Sequence, residues 1–217
     1  TYATPCIFQQ PGKRAELIAV SYEDGITSLD PATGKQNWDV DVFDKRHVEG
    51  AIASPIVHGD LILGTASWLS VRYETIAVRP GDAKRKIETA YKVDRGAPLV
   101  PTPIIVGDLL FLWSDAGIVS CCDARTGENH WRERVEGGFY ASAVTAGGHV
   151  YCPSREGDMF VLAARKKWEA AEALNALSSF PGLDGRPARK TIACLKEGVR
   201  LEGVIPAAHV GQGTKAL

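Results

Sequence analysis

Apolar and polar positions alternate along this chain in short runs separated by glycine-bearing turns, the period-two pattern of half-buried strands. Residues 17–21, 61–65, 109–113 and 150–153 form one set of runs rich in branched and aromatic side chains, which suit a pleated surface. Three of these runs follow a tight turn: His58-Gly59-Asp60, Gly107-Asp108 and Gly147-Gly148. A second turn carries Gly25, Gly117 and Gly157, and a further run follows each, at 26–29, 118–122 and 159–162. The spacing predicts antiparallel hairpins in series.

The hairpins repeat. Ala3-Thr4-Pro5-Cys6-Ile7 is matched by Ala53-Ser54-Pro55-Ile56-Val57, by Pro101-Thr102-Pro103-Ile104-Ile105 and by Ala141-Ser142-Ala143-Val144. The hydroxyl residue recurs at 4, 54, 102 and 142, in steps of 50, 48 and 40 residues. A third turn is more distinctive. Asp30-Pro31-Ala32-Thr33-Gly34 leads to Trp38, and Asp123-Ala124-Arg125-Thr126-Gly127 leads to Trp131. Asp bonds its own backbone two residues on and Gly takes the left-handed position, so Asp-x-x-Thr-Gly closes a tight turn before a fourth, outer strand. Copy two is degenerate, with Arg79-Pro80-Gly81 in the Asp register and Ile87 in the Trp place. Copy four is short and ends at Trp168.

Each copy is four short antiparallel strands that cannot bury an apolar face alone, so neighbours must stack. The expected fold is all-β: a β-propeller of four-stranded antiparallel blades, with four blades plus a degraded or partial fifth. At about 40–50 residues per blade, 217 residues point to an open arc, an unusually small ring or an excerpt of a longer protein. Residues 1–168 carry the blades. Residues 169–217 change in texture: 169–177 read as a short helix, Ser178-Ser179 and Thr191 to Leu195 as fragments of a degenerate fifth blade, and the remainder as a poorly ordered tail.

Composition narrows the function classes. Apolar residues are 45% and charged residues 24%, which excludes wholesale disorder. Lys and Arg total 25 against 26 Asp and Glu, a net charge of -1, so no nucleic-acid partner is expected. The most apolar stretch, 97–113, is interrupted by Pro98, Pro101, Pro103 and Asp108, so no membrane span is expected. Five cysteines with no C-x-x-C pair give neither a zinc site nor a disulfide scaffold.

The two Asp-x-x-Thr-Gly-x-x-x-Trp motifs resemble the tryptophan-docking repeat of the quinoprotein (PQQ-like) β-propeller family, a likeness extending over about residues 2–168. The resemblance implies that Asp30, Gly34, Trp38, Asp123, Gly127, Trp131 and Trp168 form the structural docking motif, each Trp packing on the neighbouring blade. It also implies one of two activities. Some members are dehydrogenases of alcohols or sugars that hold pyrroloquinoline quinone and Ca²⁺. Others have no cofactor and act as scaffolds, as in the outer-membrane β-barrel assembly machine. Both kinds are mainly periplasmic or extracytoplasmic in bacteria.

Candidate chemistry is sparse. Cys121-Cys122 invites comparison with the vicinal disulfide of methanol-dehydrogenase-type quinoproteins, yet on a strand the two side chains point to opposite faces, and free core cysteines are the expectation. Asp24, Asp60, Asp82, Asp108, Asp115 and Asp158 recur with the hairpins and read as turn residues. The histidines, His47, His58, His130, His149 and His209, form no ligand pair and read as solvated turn residues. No catalytic, cofactor-binding or metal-binding residue is assigned. Trp68 and Tyr73 lie between Ser67 and Thr75, where copy two leaves the repeat; this irregular loop is the candidate binding loop. The expectation is a non-catalytic scaffold for a protein or peptide, with self-association through an exposed blade edge and no cofactor. The alternative is a fragment of a quinone- and calcium-dependent dehydrogenase, and a small-ligand sensor is a weaker third.

Overall fold

A computed structural model of the chain describes residues 2–21, 23–43, 48–68, 72–81 and 86–168. All regular structure among the described residues is β-strand, in four successive antiparallel sheets. Blade A holds β1 (Cys6–Phe8), β2 (Glu16–Ser21), β3 (Gly25–Leu29) and β4 (Gln36–Val40), side by side in chain order. Blade B holds β5 (Val48–Gly50), β6 (Ile56–His58), β7 (Leu61–Trp68), β8 (Arg72–Arg79) and β9 (Glu88–Val93). Blade C holds β10 (Ile104–Val106), β11 (Leu109–Trp113), β12 (Ile118–Asp123) and β13 (Asn129–Arg134). Blade D holds β14 (Val144–Ala146), β15 (His149–Pro153) and β16 (Met159–Ala163). The four expected blades are therefore present, blade D with three strands rather than four among the described residues, and the expected fifth blade and tail, 169–217, lie outside them.

Turn chemistry sets the strand ends. Gly25 and Gly117 have φ of 75° and 78°. A Cβ on either would lie 2.2 or 2.3 Å from the carbonyl oxygen of Val40 or Val135, where the outer strand ends. Only glycine fits at both points.

Alternation along each strand then builds the core between blades. Phe8, Ile18, Val20 and Ile26 of blade A meet Ile62, Ala66, Ile76 and Val78 of blade B. Leu61, Leu63 and Ala77, from the other side of blade B, meet Leu110, Leu112 and Cys122 of blade C. Phe111, Trp113 and Cys121, from the other side of blade C, meet Val150, Cys152, Phe160 and Leu162 of blade D. Each fully buried Leu or Ile contributes roughly 1.5–3 kcal/mol, so each sheet draws its stability from its neighbours.

The recurring hydroxyl residues link the innermost strands. Thr4 N–H donates to Ser54 Oγ at 3.0 Å, Ser54 N–H to Thr102 Oγ1 at 3.1 Å, and Thr102 N–H to Ser142 Oγ at 3.0 Å. Every step of the sequence repeat is thus one hydrogen bond from a blade to the next.

Blade B departs from the others. β7 and β8 are eight residues each and stay paired as far as Trp68 opposite Arg72, with Tyr73 opposite Ser67. β5 joins at the same end, with Val48 opposite Trp68. The expected irregular loop of Trp68 and Tyr73 is corrected: both residues belong to a hairpin that runs past the other blades' turns, because continuous ladder pairing satisfies the backbone that a loop would leave open.

Candidate functional site

The two Asp-x-x-Thr-Gly turns fold alike. Asp30 Oδ1 accepts from the backbone N–H of Ala32 and Thr33 at 2.8 and 2.9 Å, and Gly34 N–H returns to the Asp30 carbonyl. Asp123 Oδ1 accepts from the backbone N–H of Arg125 and Thr126 and from the Thr126 hydroxyl, at 2.9, 3.0 and 3.2 Å. The N–H groups of Thr33 and Ala32 hold the Asp30 carboxyl below its ordinary range. At Asp123, burial works to raise the value, but the N–H groups of Arg125 and Thr126 prevail and lower it. In blade B the same position is Arg79. It ties the blade's first turn to its outer strand by pairing with Asp60 at 2.6 Å and with Glu88.

An aromatic residue spans each interface at one register. Trp131 pairs with Cys121, just before a bulge in the ladder. Its ring is buried against Phe111 edge-on at 5.9 Å and against Trp168 at 4.8 Å, and its indole N–H donates to the Arg165 carbonyl beyond blade D's third strand at 3.0 Å. Trp38 holds the matching place opposite Ser28 and lies against the A–B core, but its indole N–H donates to Glu16 of its own blade at 2.7 Å. In blade B the register belongs to Tyr91, opposite Ala77 and just before the bulge. This corrects the assignment of Ile87, which instead lies against the A–B core.

Tyr91 repeats the arrangement of Trp131. Its hydroxyl donates to the Ala124 carbonyl of blade C at 2.8 Å, and its ring covers Gly127 so closely that a Cβ there would stand 2.3 Å away. Burial pushes the phenol well above its ordinary pKa, so it stays a donor. The sequence signal for Tyr91 was an aromatic alternating with Thr89 and Val93; a turn four residues longer than in copies A and C concealed its register.

The remaining candidates occupy structural places. His58 is corrected from a solvated turn residue. Only 15% of its side chain is exposed, and it faces Asp108 of blade C at 3.4 Å without closing a hydrogen bond. His130 also has a buried ring nitrogen without a partner. Asp115 accepts from Leu99 and Val100 N–H at 2.7 and 3.2 Å, fixing the link from blade B to blade C.

Cys121 and Cys122 carry free thiols in two different cores, Cys121 toward blade D and Cys122 toward blade B. Burial pushes them up to about 12 and about 11. Both sit on the third strand of the blade, two strands out from the innermost. A quinone clasped by a vicinal disulfide needs both sulfurs on one accessible surface, so this pair does not fit that group. Among the described residues no three His, Cys, Asp or Glu side chains gather as a metal site, and no helix among them is long and apolar enough to cross a membrane.

Comparison with known proteins agrees with this architecture. No curated protein matches the chain in sequence. Among solved structures, BamB from Moraxella catarrhalis is similar over 74% of this chain and 49% of its own, at 15% identity and a TM-score of 0.55. The quinohemoprotein alcohol dehydrogenase ADHIIG from Pseudomonas putida HK5 is similar over 85% of this chain and 36% of its own, at 13% identity and a TM-score of 0.51. The chain thus spans about half the length of the first and about a third of the second. At these identities the likeness establishes the fold. The family model described as outer membrane protein assembly factor BamB matches residues 26–181, well over half of the sequence. With its repeated blades and docking registers, this chain belongs to the PQQ-like β-propeller family, in the group described by that assembly factor.

Proposed function

We propose that the chain is a non-catalytic propeller scaffold that binds a protein or peptide partner outside the cytoplasm. One observation carries this reading: the residues that looked chemical in the sequence are occupied in turns and blade contacts. Cys121 and Cys122 fill separate cores, Asp60 pairs with Arg79, and Asp115 accepts from the backbone N–H groups of Leu99 and Val100. Membership in a family described by an assembly factor supports a protein partner, and the family's usual compartment supports the location.

The binding surface in this reading is the extended end of β7 and β8 with β5 alongside, which runs past the hairpins of the other blades. Strand edges on a rigid hairpin can take up an extended segment by main-chain pairing, and Trp68 and Tyr73 stand at its paired end.

The test is capture of the partner from an envelope extract, followed by titration of the purified partner against the chain. Trp68→Ala and Tyr73→Ala should each weaken binding about ten-fold or more, the effect of losing roughly 1.4 kcal/mol. Failure to recover a saturable partner would overturn the proposal. So would reconstitution with pyrroloquinoline quinone and Ca²⁺ that yields bound-quinone absorbance and dye-linked alcohol oxidation.

A further inference from the structure

The segments that enter the innermost strands repeat an outward position. Two residues before each inner hydroxyl stand Tyr2, Ile52, Val100 and Tyr140, an aromatic or branched apolar side chain in every blade. Their neighbours in the chain turn inward: Ala51, Ala53 and Phe139 are wholly buried, and Pro101 is buried. Ile52 and Val100 are partly exposed, and Tyr140 is 54% exposed. Single apolar residues on a surface need no explanation, but a contiguous row of them marks an interaction site.

The row is contiguous because neighbouring segments are stitched together. Tyr2 N–H donates to the Ala51 carbonyl at 3.3 Å, and Ala53 N–H to the Leu99 carbonyl at 3.1 Å. The hydroxyl bonds from Thr4 to Ser54, Ser54 to Thr102 and Thr102 to Ser142 hold the same register. The backbone beneath is fixed as well. Asp115 accepts from Leu99 and Val100 N–H through its carboxylate and from Phe139 N–H through its carbonyl. Arg155 N–H donates to the Gly138 carbonyl at 2.8 Å.

A cation stands beside the most exposed part of blade D's share. The Arg155 guanidinium lies 4.4 Å from the centre of the Tyr140 ring, a cation–π contact that orients it. It makes no hydrogen bond or ion pair with any described residue. Glu156, next in the chain, is taken up by Gly138 N–H at 3.3 Å. An exposed arginine that is stacked on a ring and has its N–H fork unspent is preorganised for a carboxylate. Tyrosine and arginine are also the side chains that most often anchor protein interfaces.

We propose that this row seats an extended segment of a partner protein that carries large apolar side chains and an Asp or Glu. The apolar side chains lie on Ile52, Val100 and Tyr140, and the carboxylate pairs with Arg155. The segment crosses the blades, with one contact position in each. The inference rests on the partner-binding reading above and extends its surface: Gly50, which pairs with Ser67 of the extended hairpin, is two residues from Ile52.

The experiment selects random displayed heptapeptides on the 217-residue chain, and in parallel on its Arg155→Glu variant. Selection on the wild type should enrich peptides that combine Asp or Glu with aromatic or branched apolar residues. Arg155→Glu should exchange the acid for Lys or Arg. A synthetic peptide of the most enriched sequence, titrated into the isotope-labelled chain, should shift the amide signals of Ile52, Val100 and Tyr140. Tyr140→Ala should raise its Kd at least ten-fold with unchanged circular dichroism. If either variant misfolds, the amide map on the unaltered chain decides. Selection without a common sequence would overturn the proposal, as would amide shifts confined to other residues. So would enriched peptides indifferent to both Arg155→Glu and Tyr140→Ala. Trp68→Ala separates this inference from the reading it rests on. Binding lost in Trp68→Ala and kept in Tyr140→Ala overturns the row and leaves the hairpin, whereas the reverse overturns the hairpin and leaves the row.

Discussion

Blade C meets blade B through Leu110, Leu112 and Cys122, and meets blade D through Phe111, Trp113 and Cys121, residues that alternate along the same two strands. The B–C interface is aliphatic and is spanned by Tyr91, whose ring lies on Gly127. The C–D interface is aromatic: Trp113, Phe139 and Phe160 lie within 5.2–6.4 Å of one another, and Trp131 and Trp168 meet at its outer side. What the two share is the register of the spanning residue and the reach of its polar group to a carbonyl of the next blade, Ala124 in one case and Arg165 in the other. The position of the aromatic therefore defines the link, and its identity tunes the strength.

The largest expected effect is truncation at that register. Trp131→Ala should lower stability by about 3–5 kcal/mol, the usual cost of deleting a buried large aromatic. Tyr91→Phe should cost only about 1 kcal/mol, since it removes one hydrogen bond and keeps the ring. Urea unfolding followed by tryptophan fluorescence measures both, and equal losses would erase the proposed difference between position and polar group.

The glycines of the two turns sharpen the comparison next. Gly34 and Gly127 share a positive φ, 71° and 72°, but a Cβ on Gly34 meets nothing within 4 Å. Gly34→Ala should therefore cost only the left-handed penalty of about 1–2 kcal/mol. Gly127→Ala adds the collision with Tyr91 and should cost more. The excess should vanish when Tyr91→Ala is present, which a double-mutant cycle reads directly.

Acid titration gives a smaller effect. The Asp123 carboxyl lies below its ordinary 3.8 in the folded chain. Its carboxylate therefore contributes stability that is present above about pH 4 and is lost as pH falls through the folded value. Asp123→Asn should show a shallower loss of stability over that acid window, and an unchanged slope would contradict the role of the turn. The smallest effect is chemical. Burial pushes Cys121 and Cys152 up to about 12 and Cys122 up to about 11, so at about pH 8 these thiols stay protonated and resist alkylation in the native state. Among the four described cysteines the half-buried Cys6 should react first, as mass spectrometry of trapped thiols would show.

Which parts were legible in the sequence follows from the range of the forces involved. The Asp-x-x-Thr-Gly turns at 30–34 and 123–127 could be read because a side chain bonding its own backbone is local. Strand faces could be read because alternation is local too, and the apolar runs end within a residue of the observed strands, β7 excepted. The hydroxyl repeat at 4, 54, 102 and 142 was visible as spacing, but its meaning, one bond per interface, required the blades side by side. Tyr91 escaped because a longer turn displaces it from the eight-residue spacing of Trp38 and Trp131. The Trp68–Tyr73 region escaped because no glycine marks its turn, while the pairing that makes it a hairpin, with β5 added, lies across the sheet. His58 escaped because its burial comes from blade C.

The central claim is that this chain is a row of blades, each held by its neighbours through an apolar core with one aromatic at a shared register. In such a row, damage at an interface stays near that interface. Amide hydrogen exchange of Trp131→Ala under native conditions tests this most directly. The account predicts that protection falls sharply in β14–β16 and is retained in β1–β4 and β6–β8. Uniform loss of protection from blade A to blade D, or unchanged protection in blade D, would contradict it.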